Sequence, residues 1–112
     1  MPPLWTVEFS QRAATDFDDI IRHTFKHFGQ NQAQRYSHLI AHSVRELSEL
    51  GPDHPLTRSR PELHADIQSM PIQRMGMNAK HLLFFKEVAE KQSRKIVILR
   101  ILHTSMDFEE HL

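Results

Sequence analysis

The chain contains no cysteine. That excludes disulfide frameworks, thiolate metal sites and cysteine nucleophiles, and it fits a reducing compartment. It also lacks an excess of either charge. The 14 Lys and Arg residues are balanced by 14 Asp and Glu, which disfavours nucleic-acid binding by bulk charge and leaves only a local basic patch open. Long apolar runs are absent as well. Leu82–Phe85 and Ile96–Leu99 fall far short of the roughly 20 residues of a spanning helix. Met1-Pro2-Pro3-Leu4-Trp5 has no basic stretch leading into an apolar one, so no signal peptide is expected and the cytoplasm is the default location. Glycine is scarce, with three residues and no Gly-rich phosphate loop. No Ser-His-Asp pattern or specific pair of carboxylates stands out.

What remains is 112 residues with 39 % hydrophobic and 25 % charged composition, enough apolar material for one compact domain spanning 1–112. Leu4–Phe9 is rich in aromatic and β-branched residues and reads as a strand. Ser10 then caps a helix whose apolar positions, Ala13, Phe17, Ile20, Ile21, Phe25 and Phe28, recur at three and four, with Gly29 closing it. A second helix, from about Asn31 to Leu50, carries Ala33, Tyr36, Ile40, Val44 and Leu47 on one face and stops at Gly51-Pro52. Two amphipathic helices with so short a connection fold back as an antiparallel hairpin. Gly51–Pro61 is a loop, Leu63–Ile72 a weaker strand limited by Pro71, and Arg74–Asn78 a turn. Lys80–Val88 and Lys95–His103 are the clearest strands, joined by a charged loop over Glu90–Arg94, and Thr104–Leu112 is a tail with at most one helical turn. The expected fold is α+β: a helical hairpin on one face of a mainly antiparallel four-stranded sheet.

Charge sets an expected register for the last hairpin. Long cations avoid the space beneath helices, so Lys86 and Arg100 belong on the open face. His81 and His103 then share the other face, within roughly 5–8 Å, beside Leu83, Phe85, Leu99 and Ile101. The same parity leaves Leu82, Phe84, Ile96, Ile98 and Leu102 on the open face, an apolar patch of the kind that marks a partner site; the blander reading is that the tail or the long loop covers it.

Nine histidines invite a metal reading. The pairs His23/His27 and His38/His42 have chelating spacing but lie off the apolar stripes, and no third ligand is fixed. They are read as surface residues, with no metal and no cofactor expected. His54, His64 and His111 are read as exposed. His81 and His103 are better placed for acid–base work, and with Arg74, Lys80, Lys86 and Arg100 nearby they form a candidate RNA-cleaving set of His81, His103 and Arg100. The blander reading is that both histidines simply finish a buried sheet face.

Certain segments resemble a known family. They are Ser10 with Ala13-Ala14-Thr15-Asp16-Phe17-Asp18-Asp19-Ile20, then Phe28-Gly29-Gln30 with Gln32-Ala33 and Arg35-Tyr36, then Ile96-Val97-Ile98-Leu99-Arg100-Ile101-Leu102-His103, and finally Thr104-Ser105-Met106-Asp107 and His111-Leu112. Together they resemble the ParE branch of the RelE/ParE superfamily of type II toxin–antitoxin toxins. The resemblance implies a non-enzymatic toxin that poisons DNA gyrase and is neutralised by a ParD-like antitoxin wrapping a disordered segment over it. It further implies a toxin–antitoxin hetero-oligomer that touches DNA only through the antitoxin and has no membrane role. On that reading the partner surface is Leu82, Phe84, Lys86, Ile96, Ile98, Arg100, Leu102, His103, Met106 and Asp107. The RelE branch, which cuts mRNA on the ribosome, is the alternative. This sequence departs from it with His81 in place of an arginine and no C-terminal tyrosine. Gln68 stands where many ParE relatives have arginine, which leaves room for a degenerate toxin that only binds its antitoxin.

Overall fold

The structure, a computed structural model, describes residues 5–72, 80–90 and 93–112. Strand β1 (Thr6–Phe9) leads into helix α1 (Gln11–Phe28) and helix α2 (Gln30–Leu50). A 3₁₀ turn (Gly51–Asp53) and short strand β2 (Arg58–Ser59) precede β3 (Gln68–Pro71), β4 (His81–Glu90), β5 (Ser93–His103) and the single-turn helix α3 (Phe108–His111). No helix among the described residues is long and apolar enough to cross a membrane. The expected turn at Arg74–Asn78 lies outside the described residues.

Local chemistry accounts for the helix ends. The Ser10 hydroxyl accepts the Ala13 amide at 3.0 Å and caps α1. Gly29, at φ 88°, closes α1 by donating its amide to the Phe25 carbonyl and also starts α2. Gly51, at φ 60°, ends α2 under the Trp5 indole, where a Cβ would lie 2.2 Å from Nε1. A hydrogen bond from the Trp5 amide to the Ser48 carbonyl ties β1 to that helix end.

The sheet has five strands, in the order β1-β5-β4-β3-β2, rather than four. It is mixed: β1 lies at the edge, parallel to β5, with Thr6 opposite Lys95 and Phe9 opposite Ile98, and the other pairings are antiparallel. The fifth strand is β2, which emerges from the expected loop to pair Arg58 with Ser69 and Ser59 with Gln68. The expected strand over Leu63–Ile72 shrinks to Gln68–Pro71. Its N-terminal half is held in a turn by bonds from the Leu63 and His64 amides to the Arg60 carbonyl.

One bulge decides which residues meet the helices. His81 pairs with His103 and Phe84 with Arg100, but Phe85 pairs with Ile98, leaving Leu99 as an extra residue on β5. The even register therefore holds at the His81 end and reverses beyond the bulge. Ile96 and Ile98 turn inward and join Ala13, Ile40, Leu47, Met70, Leu83, Phe85 and Ile101 in the helix-facing core, while Leu99 packs on the opposite side. This corrects the expectation that Ile96 and Ile98 line the open face and Leu99 the core. Ile98 and Ile101 are three apart, and a regular strand cannot bury both on one face. The bulge also frees the Leu99 carbonyl to accept the Ser10 hydroxyl at 2.9 Å, while the Ile98 carbonyl accepts the Ser10 amide.

Candidate functional site

The sheet face away from the helical hairpin is not bare. Leu82, Phe84 and Leu102 are buried there with Ile67, beneath Leu63, Leu99 and Phe108. The Phe84 and Phe108 ring centroids are 4.8 Å apart. The Arg60 guanidinium sits 6.0 Å from the first ring and 5.8 Å from the second, and its Nε donates to the Ser69 hydroxyl at 2.7 Å. The long loop and the C-terminal turn thus cover the patch that the sequence pattern leaves open. The hint was present in the tail: Asp107 caps α3 by accepting the Glu109 amide, which fixes Phe108 as a peg pointing back at the sheet.

Arg100 does not stand free at the edge of that face. Its Nε and Nη2 donate to Asp16 Oδ2 and Oδ1 at 2.8 and 2.9 Å, and its Nη1 donates to the His111 carbonyl at 3.0 Å. Asp16 also accepts the Ile101 amide at 2.9 Å, just past the last β5 residue that β1 pairs with. The hydrogen bond to Asp16 raises the Arg100 pKa, burial opposes it and the Asp16 charge adds to it. Of the ten residues expected at a partner surface, Ile96 and Ile98 lie under the helices, and Leu82, Phe84 and Leu102 lie under the chain's own loop and tail. Arg100 is locked to α1. Lys86, Met106 and Asp107 are exposed, and His103 is half-buried.

The hairpin tip holds apolar surface that periodicity assigned to the core. Phe25 is 57 % and Phe28 68 % exposed, although both continue the α1 stripe. His54, expected in solvent, is buried at 6 % exposure. Its Nδ1 accepts the Leu56 amide, so its Nε2 carries the proton and donates to Glu46 at 3.2 Å.

His81 and His103 come together as the even register requires. They are directly opposite, with ring centroids 5.1 Å apart in an edge-to-face arrangement. Tyr36 of α2 completes the group through a hydrogen bond between its hydroxyl and His81 Nδ1. His103 Nδ1 accepts the Ser105 amide at 3.1 Å and lies 2.7 Å from the Ser105 hydroxyl, which leaves Nε2–H as its donor end when neutral. These residues line a cavity of about 420 Å³ together with Phe28, Arg35 and Lys80. Arg100 lines a different cavity with Asp16 and Asp19, so the candidate set of His81, His103 and Arg100 is not assembled. Arg74 lies outside the described residues. The C-terminal region has no tyrosine, and the one that reaches His81 comes from α2 instead. Its place on the α2 apolar stripe says that it faces the sheet, but not how far along the sheet it lands. Among the described residues no group of three His, Asp or Glu is arranged to hold a metal.

The family described as "ParE toxin of type II toxin-antitoxin system, parDE" matches residues 7–108 by its sequence model. No curated protein matches the chain. Solved structures share the fold, two of them as follows. The chromosomal ParDE TA system from P. aeruginosa aligns with a TM-score of 0.69 at 22 % identity, over 89 % of this chain and 96 % of that one. The YoeB/ParE toxin from Agrobacterium tumefaciens aligns with a TM-score of 0.60 at 11 % identity, over 88 % of this chain and 97 % of that one.

Proposed function

Because the chain belongs to the ParE toxin family of type II toxin–antitoxin systems, we propose that it inhibits DNA gyrase by protein–protein binding and is neutralised by a ParD-like antitoxin. The observation that carries this reading is the extent of the family match, which runs from β1 to the first residue of α3. Poisoning by binding asks for an accessible surface rather than a reacting group. The antitoxin docks on the part of the expected surface that is accessible, Lys86, His103, Met106 and Asp107, and a segment that folds on binding supplies complementary charge and apolar anchors there. Leu82, Phe84 and Leu102 contribute only where the partner lifts α3.

Induction in growing bacteria tests the target. Double-strand breaks and an SOS response with continued protein synthesis are expected, and arrested translation with cleaved mRNA would remove the gyrase reading. The antitoxin surface is tested with Lys86→Glu and Asp107→Lys, both at exposed positions. Each is expected to weaken binding of the antitoxin encoded beside the gene by about tenfold, the scale of one lost charge contact; Lys86→Glu leaves thermal stability unchanged, whereas Asp107→Lys also removes the α3 cap at a cost of about 1 kcal/mol. Unchanged affinity in calorimetry would take both residues off the surface. A second reading, RelE-type mRNA cleavage, draws on the meeting of Tyr36, His81 and His103. The same induction experiment separates it from the first. Antitoxin binding without either phenotype would mark a degenerate toxin.

A further inference from the structure

The cavity at Tyr36, His81 and His103 shares only His103 with the surface proposed for the antitoxin. Among the described residues it contains Arg35 and Lys80 and no carboxylate, in a chain whose charges balance overall. Both cations are exposed, and neither side chain meets a carboxylate among the described residues. Elsewhere in the fold Arg45, Arg60 and Arg100 are paired with Glu49, Glu62 and Asp16. Planar surfaces sit beside the charges. The Phe28 ring is largely exposed, and the rings of Tyr36 and His103 each pack against His81. At about 420 Å³ the space is in the range of small-molecule sites. It has room for one small ligand and none for a folded chain.

We propose that this cavity binds a small organic phosphate of the nucleoside monophosphate class, with Arg35 and Lys80 on the phosphate and the Phe28 and Tyr36 rings against the base. Two cations without a nearby acid favour a dianion over a neutral or cationic ligand. Guanidinium and ammonium groups are the usual partners of phosphate oxygens. Aromatic faces accept any base by stacking, which predicts little preference among bases. The His103 Nε2–H is a further donor on the cavity wall. Lys86, Met106 and Asp107 are not in its lining, His103 is common to both surfaces, and occupancy of the cavity does not depend on which target the toxin inhibits.

Calorimetric and NMR titration of the full chain tests the assignment, with adenosine 5′-monophosphate, adenosine and inorganic phosphate as probes. Saturable binding of the monophosphate is expected, with the ring signals of His81 and His103 shifting and those of the outward His38 unmoved. The variant Arg35→Ala/Lys80→Ala, altered only at exposed positions, is expected to bind at least about tenfold more weakly, the scale of lost charge-assisted contacts. Arg45→Ala, on the same helix but away from the cavity, is expected to leave affinity unchanged. Absence of saturable binding overturns the proposal, as does equal loss in Arg45→Ala, which marks diffuse electrostatics. Adenosine binding as tightly as its monophosphate removes the anion from the recognition, and inorganic phosphate binding as tightly as the nucleotide removes the ring.

Discussion

Arg100 and Asp16 meet with side chains only 15 % and 14 % exposed, and three polymer segments depend on the contact: α1, the β5 edge and the end of α3. Removing one member leaves the other charge buried without its partner, which costs about 3 kcal/mol. Arg100→Met is expected to lower unfolding free energy by about that amount in urea titration. The double variant Asp16→Asn/Arg100→Met should lose less than the sum of its parts; strict additivity would mean that the pair carries no coupling. Folding raises the Arg100 pKa above the ordinary arginine value. Its contribution is therefore complete below that value and fades only as pH climbs through the higher folded one, so on the arginine side the contact is constant across neutral pH. Gly51 poses a different constraint. At φ 60°, with the Trp5 indole 2.2 Å from where a Cβ would be, Gly51→Ala combines backbone strain with overpacking. A loss of about 2 kcal/mol or more is expected, together with a shift in the fluorescence of the single tryptophan. An unshifted spectrum at native stability would contradict the packing.

At the scale of elements, α3 and the loop around Arg60 act as one cover. The Phe108 ring reaches Phe84, Arg60 stacks against both, and Arg100 holds the His111 carbonyl. Phe108→Ala is expected to cost about 2 kcal/mol, at the lower end of large-to-small changes because Phe108 is only half-buried. Truncation after Met106 should additionally expose Phe84 and Leu102 and raise binding of an apolar fluorescent dye. Dye binding equal to that of the full chain would show that the face stays covered without α3. The same truncation is expected to reduce toxicity, read as growth arrest on induction. The bulge at Leu99 is the other element-scale device. Deleting Leu99 would restore unbroken pairing beyond Phe84 and leave Ile96 and Ile98 facing the helices, but it removes the acceptor of the Ser10 hydroxyl and the Leu99 side chain from the opposite face, so a loss of about 2 kcal/mol in urea titration is expected.

For the molecule as a whole, the helical hairpin is longer than the sheet can cover. Phe25 and Phe28 stay largely exposed near the hairpin tip, and Phe28 lines the Tyr36–His81–His103 cavity. Antitoxin binding to the native state adds stability by mass action. A free antitoxin concentration 100-fold above its dissociation constant should raise unfolding free energy by about 2.7 kcal/mol. A melting temperature indifferent to the antitoxin would argue against a complex with the folded toxin.

Periodicity and end signals were enough to place both long helices, because apolar residues at three and four and the stops at Gly29 and Gly51 are local properties of the chain. The two long strands were legible for the same reason. So was the meeting of His81 with His103, since keeping cations away from the helices selects the parity on that side of the bulge. The inward turn of Ile96 and Ile98 was not legible, because a bulge answers two neighbours at once: β4 on one side, and Ser10 at the entry to α1 on the other. Nor was the burial of Arg100, the covering of Phe84 by Phe108, or the arrival of Tyr36 at His81. Each joins residues far apart in the chain, and their separation in space is set by how the layers pack rather than by any pattern along the sequence.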